Sequence, residues 1–349
     1  MAKKTPVLFK DTLNGTAAGS WIIAPKDFRS WPWGCLCLLD TAARKKRQAL
    51  PKVGDQSWSK YRVEFDFLPK SLKGYTGLNF HVQSNGDACN LHFPSGASGR
   101  NEAFQTMYIY GKSMSWKLYP ESQGYGLFRG DSWSHLRLDV GKTLANLFVN
   151  GAPVLTMFDL PFNAGGIEFW SYYGQVYIRN VTVIDLTYSR VVPVFKNPWL
   201  IYKDADVLKD WRVALCKDQK GEGIPLSSKL DWRDIQADSR GVVNLSRAFR
   251  EDNTRNTAWA TAEIIMERPE TKKLFLTYTD RLTIWCNNRK VFTGEPRGWN
   301  DPNRDAHFGG RLIPDEYYTN LRLVKGKNRL LVRSEVIDPW GWGFWMRTK

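Results

Sequence analysis

Residues 133–186 read WSHLRLDVGKTLANLFVNGAPVLTMFDLPFNAGGIEFWSYYGQVYIRNVTVIDL, and the alternation in this stretch decides the fold. Leu136, Leu138 and Val140 share one parity while His135, Arg137 and Asp139 share the other, which is the period of a half-buried strand. Leu147-Phe148-Val149 then runs into Asn150-Gly151, two residues that tolerate φ > 0 and suit a tight hairpin turn. In the last run Val176 and Ile178 have one parity and Val181 and Val183 the other. The inward set therefore changes near Arg179-Asn180, where a β-bulge is expected. Consecutive antiparallel strands follow.

Toward the N-terminus the same alternation recurs. Tyr61, Val63, Phe65 and Phe67 interleave with Arg62, Glu64 and Asp66; Leu78, Phe80 and Val82 with Asn79, His81 and Gln83; Cys89, Leu91 and Phe93 with Asn90 and His92. Three successive strands are thus expected to display one shared polar face. Parity further assigns Met107 and Ile109 to the core, turning Tyr108 and Tyr110 outward. It assigns Ile167 and Phe169 to the core, turning Glu168, Trp170 and Tyr172 outward. Outward aromatics beside His, Asn and carboxylates exceed what a merely soluble face requires.

Toward the C-terminus the pattern ends in Val192-Pro193 and restarts at Asn197-Pro198-Trp199. The expected domains are 1–190 and 191–349. The second contains Thr257–Ile264, Leu274–Arg281, a strand at 282–286 closed by Asn287-Asn288, and Lys325–Val332. A polar loop from Gly294 to Gly310 holds Trp299 and His307. Sixteen Trp, 14 Tyr and 18 Phe among 349 residues, with recurrent Gly and Pro turns, favour packed β-structure. The fold class expected is all-β, two β-sandwich (jelly-roll) domains in series.

Trp133 opening a strand, the Val149-Asn150-Gly151 hairpin, Gly165-Gly166-Ile167 and Val176–Val181 resemble the closing strands of concanavalin A-like sandwich domains. That group includes the laminin-G-like domains and the family labelled 3-keto-disaccharide hydrolase. Ala258-Trp259-Ala260-Thr261, Asp280–Asn288, Lys325–Val332 and the terminal Trp340-Gly341-Trp342-Gly343-Phe344 resemble galactose-binding-like jelly rolls, which are attached to many glycoside hydrolases and esterases. The two resemblances imply a carbohydrate ligand.

A sugar presents apolar C–H faces and dense hydroxyls, so its site needs aromatic platforms beside planar hydrogen-bonding groups. Asn90, His92, Tyr108, Tyr110, Trp170 and Tyr172 supply these in the first half, with Trp299 and His307 in the second. Glycoside hydrolysis needs two carboxylates. Glu64 and Asp66 lie roughly 7 Å apart along a strand at ~3.3 Å per residue, Glu168 adds a third, and His81 completes an acid/base set. Two readings stand: a hydrolase of oligo- or polysaccharides, or a non-catalytic lectin-like or adhesin module. The carboxylates favour the enzyme. The missing Glu-x-Asp-x-x-Glu signature of bacterial β-glucanases, with Phe67-Leu68-Pro69 following Glu64-Phe65-Asp66, favours the binder.

A formal charge of +15 favours an anionic partner, such as an acidic polysaccharide, and a salt-sensitive association. Arg44-Lys45-Lys46-Arg47 is the densest basic run. Nucleic acid is disfavoured because no nucleic-acid-binding fold is recognisable. No apolar run of about 18 residues exists to span a membrane. The start, Met1-Ala2-Lys3-Lys4, has no apolar signal segment, while a glycan ligand makes a secreted, periplasmic or cell-surface setting the expected one. Five cysteines at 35, 37, 89, 216 and 286, without CxxC spacing, read as unbridged thiols. No phosphate loop, zinc-protease helix or nucleophile elbow occurs. Four His do not suffice for a multi-histidine metal centre, although His81 and His92 could share one ion. No cofactor is indicated, and structural calcium is compatible with either fold.

Overall fold

The computed structural model describes residues 6–13, 20–22, 36–39, 51–69, 75–93, 103–119, 123–125, 132–172, 175–197, 206–217, 230–250, 256–296, 311–337 and 340–349. Its architecture is all-β, and among these residues the helix is confined to a five-residue α1 (Leu245–Phe249) and one 3-10 turn at Trp116–Leu118. The chain divides into two compact units: Met1–Ile109 with Glu121–Asn197, and Tyr110–Pro120 with Pro198–Lys349.

The first fourteen strands are β1 (Val7–Asp11), β2 (Leu36–Leu39), β3 (Lys52–Val53), β4 (Tyr61–Pro69), β5 (Tyr75–Val82), β6 (Ala88–Phe93), β7 (Ala103–Tyr110), β8 (Ser113–Met114), β9 (Gln123–Tyr125), β10 (Ser134–Val140), β11 (Leu144–Val149), β12 (Ala152–Phe158), β13 (Gly166–Tyr172) and β14 (Gln175–Asp185). One sheet runs β1-β14-β4-β10-β11-β12, with β2 also on β14. The other runs β3-β13-β5-β6-β7-β8, with β9 also on β7. Phe65 and Phe67 of the first sheet meet Phe93, Phe104 and Phe169 of the second at ring-centroid distances of 5.2–6.1 Å, and all five rings are fully buried. Deleting one such ring from a close-packed core typically costs about 3–5 kcal/mol.

The two turn features expected from residues 133–186 are present. Asn150 and Gly151 have φ of 50° and 82°, and Val149 pairs with Ala152 across them, which makes a two-residue hairpin of the type that requires φ > 0 twice. Asn180 has φ of 56°, and the β14–β4 register shifts between Arg179 and Thr182. That bulge lets Val176, Ile178, Val181 and Val183 all face the core.

Two expectations are corrected. The polar residues of β4 do not share a face with those of β5 and β6, because β4 lies in one sheet while β5 and β6 lie in the other. The chain crosses the sandwich between β4 and β5. The parity of β7 is also the reverse of that expected: Tyr108 and Tyr110 are 4% and 2% exposed, while Met107 and Ile109 are only half-buried. Pairing explains this, since Tyr108 stands opposite the core residue Cys89 and Met107 opposite Asn90.

The second unit contributes β15 (Asp210–Lys217), β16 (Arg233–Gln236), β17 (Val242–Asn244), β18 (Asn256–Met266), β19 (Glu270–Tyr278), β20 (Arg281–Cys286), β21 (Arg289–Gly294), β22 (Tyr317–Leu323), β23 (Gly326–Glu335) and β24 (Gly343–Thr348). They form a six-stranded sheet, β16-β15-β18-β23-β20-β21, and a four-stranded one, β17-β24-β19-β22. Trp211, Leu274, Leu276, Ile284, Val332 and Phe344 share one core between them. Asn287 and Asn288, with φ of 50° and 65°, close the β20–β21 hairpin. Residues 110–120 belong to this unit, and Lys117 is buried in it. Its Nζ lies 3.8 Å from Asp280 Oδ1, with side-chain exposures of 4% and 0%, and donates to the Thr279 carbonyl at 3.2 Å.

Candidate functional site

The outer face of β13, β5, β6 and β7 is built from two cross-strand rows. Glu168, Asn79, Asn90 and Met107 stand opposite one another in the first, and Trp170, Gly77, His92 and Gln105 in the second. Ile167, Phe169, Leu78, Phe80 and Leu91 point the other way and are fully buried. Period-2 geometry then leaves the polar set on the outside.

The Trp170 indole occupies the space above Gly77. A Cβ at position 77 would stand 2.7 Å from the ring and would also collide with the Leu91 carbonyl oxygen, so only glycine lets the ring lie there. His92 flanks it, with ring centroids 5.6 Å apart and planes tilted by 37°. Asn90 Nδ2 donates to Asn79 Oδ1 at 2.7 Å. Asn79, Asn90 and His92 are 9%, 2% and 7% exposed and form a floor, around which Glu168, Trp170, Gln105 and Met107 are half-buried. Asn90 Oδ1 and Trp170 Nε1, both on this face, are shut off from solvent without a hydrogen-bond partner among the described residues. Each such orphan typically costs about 1–3 kcal/mol.

Burial pushes the His92 imidazole down to about 4, only partly opposed by the Gln105 side chain. It is neutral at pH 7. His81, expected on this face, sits instead in a bulge at the end of β5. Its φ is 48°, the β13–β5 register shifts beside it, and it is fully buried. Its N–H donates to the Tyr61 hydroxyl at 3.1 Å, which itself donates to the Gly165 carbonyl at 3.1 Å. Its Nδ1 lies 2.8 Å from the Phe162 carbonyl. Burial lowers its pKa to about 4, with backbone groups of Phe162 and Ser59 opposing. A buried, neutral ring tied to backbone is a structural element of the bulge.

Glu64 and Asp66 lie on the opposite sheet, in a charged ladder across β4, β10 and β14. Asp66 accepts from His135 Nδ1 at 3.0 Å, Arg179 Nε at 3.2 Å and Asn180 Nδ2 at 2.8 Å. Partial burial opposes its ionisation, yet the hydrogen bonds from His135, Asn180 and Arg179 outweigh it and hold the carboxyl below its usual range. A general acid needs the reverse shift. Glu64 stands opposite Arg137 and Thr182. Arg62 and Asp139 continue the ladder with paired contacts at 2.6 and 3.0 Å. Of the three carboxylates considered for hydrolysis, only Glu168 is on the face that carries Trp170.

The side chain of Tyr172, the loop with Trp299 and His307, and the basic run 44–47 lie outside the described residues. Trp342 is a core residue whose Nε1 donates to Ser334 Oγ at 2.8 Å. Cys89, Cys216 and Cys286 are free thiols. Among the described residues no cluster of three or more His, Cys, Asp or Glu is placed to hold a metal. No helix among them is long and apolar enough to cross a membrane. Asn79 and Gln105 join the site through pairing alone. One sequence signal could have set β7 correctly: its three aromatics, Phe104, Tyr108 and Tyr110, share a parity.

No family model and no curated protein match the sequence. Several solved structures are similar to part of it. A carbohydrate-binding module of Bacillus subtilis (CBM66) matches over 39% of this chain and 80% of its own, at 13% identity and a TM-score of 0.31. A galectin-like-fold protein of unknown function from Bacillus subtilis matches over 52% and 97%, at 16% identity and a TM-score of 0.36. A non-specific endo-β-1,3(4)-glucanase of family GH16 matches over 52% and 92%, at 10% identity and a TM-score of 0.36.

Proposed function

We propose that this chain recognises carbohydrate on the outer face of β13, β5, β6 and β7, and that it binds the glycan without cleaving it. The observation that carries this is the Trp170 ring laid across Gly77 beside the Asn79–Asn90 amide pair. It provides an aromatic platform and planar donors and acceptors in one place, which is what a sugar ring requires. Hydrolysis would need a second carboxylate about 5–9.5 Å from Glu168, and Glu64 and Asp66 belong to the other sheet. A glycan ligand fits a secreted or surface setting.

Trp170→Ala should weaken glycan binding by roughly tenfold or more, the loss of a stacked aromatic anchor, with the fold kept as judged by circular dichroism. Glu168→Gln should alter affinity only modestly, and no reducing ends should be released. A glycan array followed by titration calorimetry and a reducing-sugar assay checks this. Unchanged affinity in Trp170→Ala would place the site elsewhere. Reducing ends released by the wild type and lost in Glu168→Gln would restore the hydrolase.

The net charge of +15 supports a finer reading, in which acidic polysaccharides are the better ligands. Sulfated or uronate-bearing chains should then associate faster than neutral ones and lose that advantage above about 0.15 M salt, where the screening length is ~8 Å. Equal association rates for both, at low and high salt, would remove the idea.

A further inference from the structure

The outer face of the larger sheet in the second unit holds a groove of about 1000 Å³, walled by residues of β15, β16, β18 and β23 together with Trp232. Those four strands are neighbours in the sheet, so at ~4.8 Å per strand the groove crosses roughly 14 Å. That is more than one sugar ring and within the upper range of small-ligand sites.

Its polar lining is paired. Arg212 Nε lies 3.3 Å from Asp234 Oδ1, and Arg329 Nε lies 3.4 Å from Thr261 Oγ1. Asp210 accepts from the Gln236 amide, and Glu263 is bridged by Lys327 Nζ at 2.9 Å. The lining holds three carboxylates, Asp210, Asp234 and Glu263, against two cations, Arg212 and Arg329, with Lys327 bridging Glu263 from beside the groove, so the groove carries no positive excess in a chain of +15. Arg212 and Asp234 have side-chain exposures of 59% and 87%, and Lys327 and Glu263 of 72% and 57%. Such exposed pairs contribute little to stability.

Trp232 forms one wall. It is half-buried and packs against the buried Trp259, Trp285 and Leu331, the two buried indoles lying 5.5 Å apart. The wall is an aromatic surface fixed from behind.

We propose that this groove binds an uncharged oligosaccharide, stacked on Trp232 and hydrogen-bonded by the Arg212–Asp234 and Arg329–Thr261 pairs. Fork-shaped guanidinium and carboxylate groups match vicinal hydroxyls. A lining with no positive excess gives an acidic ligand no advantage, because complementarity of potential selects the partner. The inference does not rest on the first-unit site and stands whether or not that site binds glycan.

The test titrates the full chain with cellohexaose, xylohexaose and β-1,4-galactohexaose at up to about 1 mM, by calorimetry and tryptophan fluorescence, against their acidic counterpart oligogalacturonate. At least one neutral hexasaccharide should bind, insensitively to salt. In a Trp170→Ala background, so that the first-unit face does not contribute, Trp232→Ala and Arg212→Ala should each weaken that binding by roughly tenfold. Arg212 is exposed, so its variant keeps the fold and decides the matter should Trp232→Ala misfold. Absence of binding by all three neutral chains, undiminished affinity on adding Arg212→Ala, or oligogalacturonate binding that Arg212→Ala abolishes would overturn the proposal.

Discussion

Lys117→Met is expected to destabilise the second unit by about 3–5 kcal/mol, the cost of leaving a buried charge without its partner. Asp280 is fully buried. Its carboxylate accepts from the Thr279 hydroxyl at 2.6 Å and from the Ile337 N–H at 2.8 Å, and Lys117 is the cation beside it. Met fills the same volume but supplies no charge. The double variant Lys117→Met/Asp280→Asn removes both charges and should recover most of the loss, because the amide oxygen can still accept from the Ile337 N–H while its NH2 donates to the Thr279 hydroxyl. Urea unfolding, followed by hydrogen exchange in β19 and β20, measures both. A single variant as stable as the wild type, or a double variant no better than the single, would show that the pair is not what holds residues 110–120 in place.

Acid should unfold the first unit across an unusual window. His81 and His92 both have pKa values lowered to about 4, chiefly by burial, against about 6.5 in the unfolded chain. Between those values the unfolded state binds protons that the native state refuses, so stability falls as pH falls. The stabilisation is fully present above pH ~6.5 and is lost progressively toward pH ~4, on the order of 3 kcal/mol for each histidine. Asp66, with its pKa held below 3.8, acts in the same direction but only in a more acidic window. Thermal melts from pH 7 to pH 4, with hydrogen exchange reporting β5 and β6, should show this slope. His92→Gln and His81→Gln should each flatten it, whatever they do to stability at pH 7. An unchanged slope in both variants would mean that the rings are not buried as neutral imidazoles.

How the protein works thus depends on residues of different legibility. Period-2 alternation was readable for β4, β5, β6 and β10, because each strand's inward set, such as Tyr61, Val63, Phe65 and Phe67, is a local property of the pleat. The Asn150-Gly151 turn and the Asn180 bulge were readable for the same reason, since φ > 0 is a demand on single residues. Glu168 and Trp170 were rightly turned away from the core. The partner strand of each element was not readable. Glu64 and Asp66 have the same alternation as Asn79 and Asn90, yet the chain crosses the sandwich between β4 and β5, and no local pattern reports that crossing. β7 carries apolar residues at both parities, so only its pairing with Cys89 and Asn90 decided that Tyr108 and Tyr110 go inside. Gly77 under Trp170 joins residues 93 positions apart, and the groove beside Trp232 draws on strands from Asp210 to Arg329. Alternation is written residue by residue along the chain, whereas a site is made by strands that meet only when the sheets form.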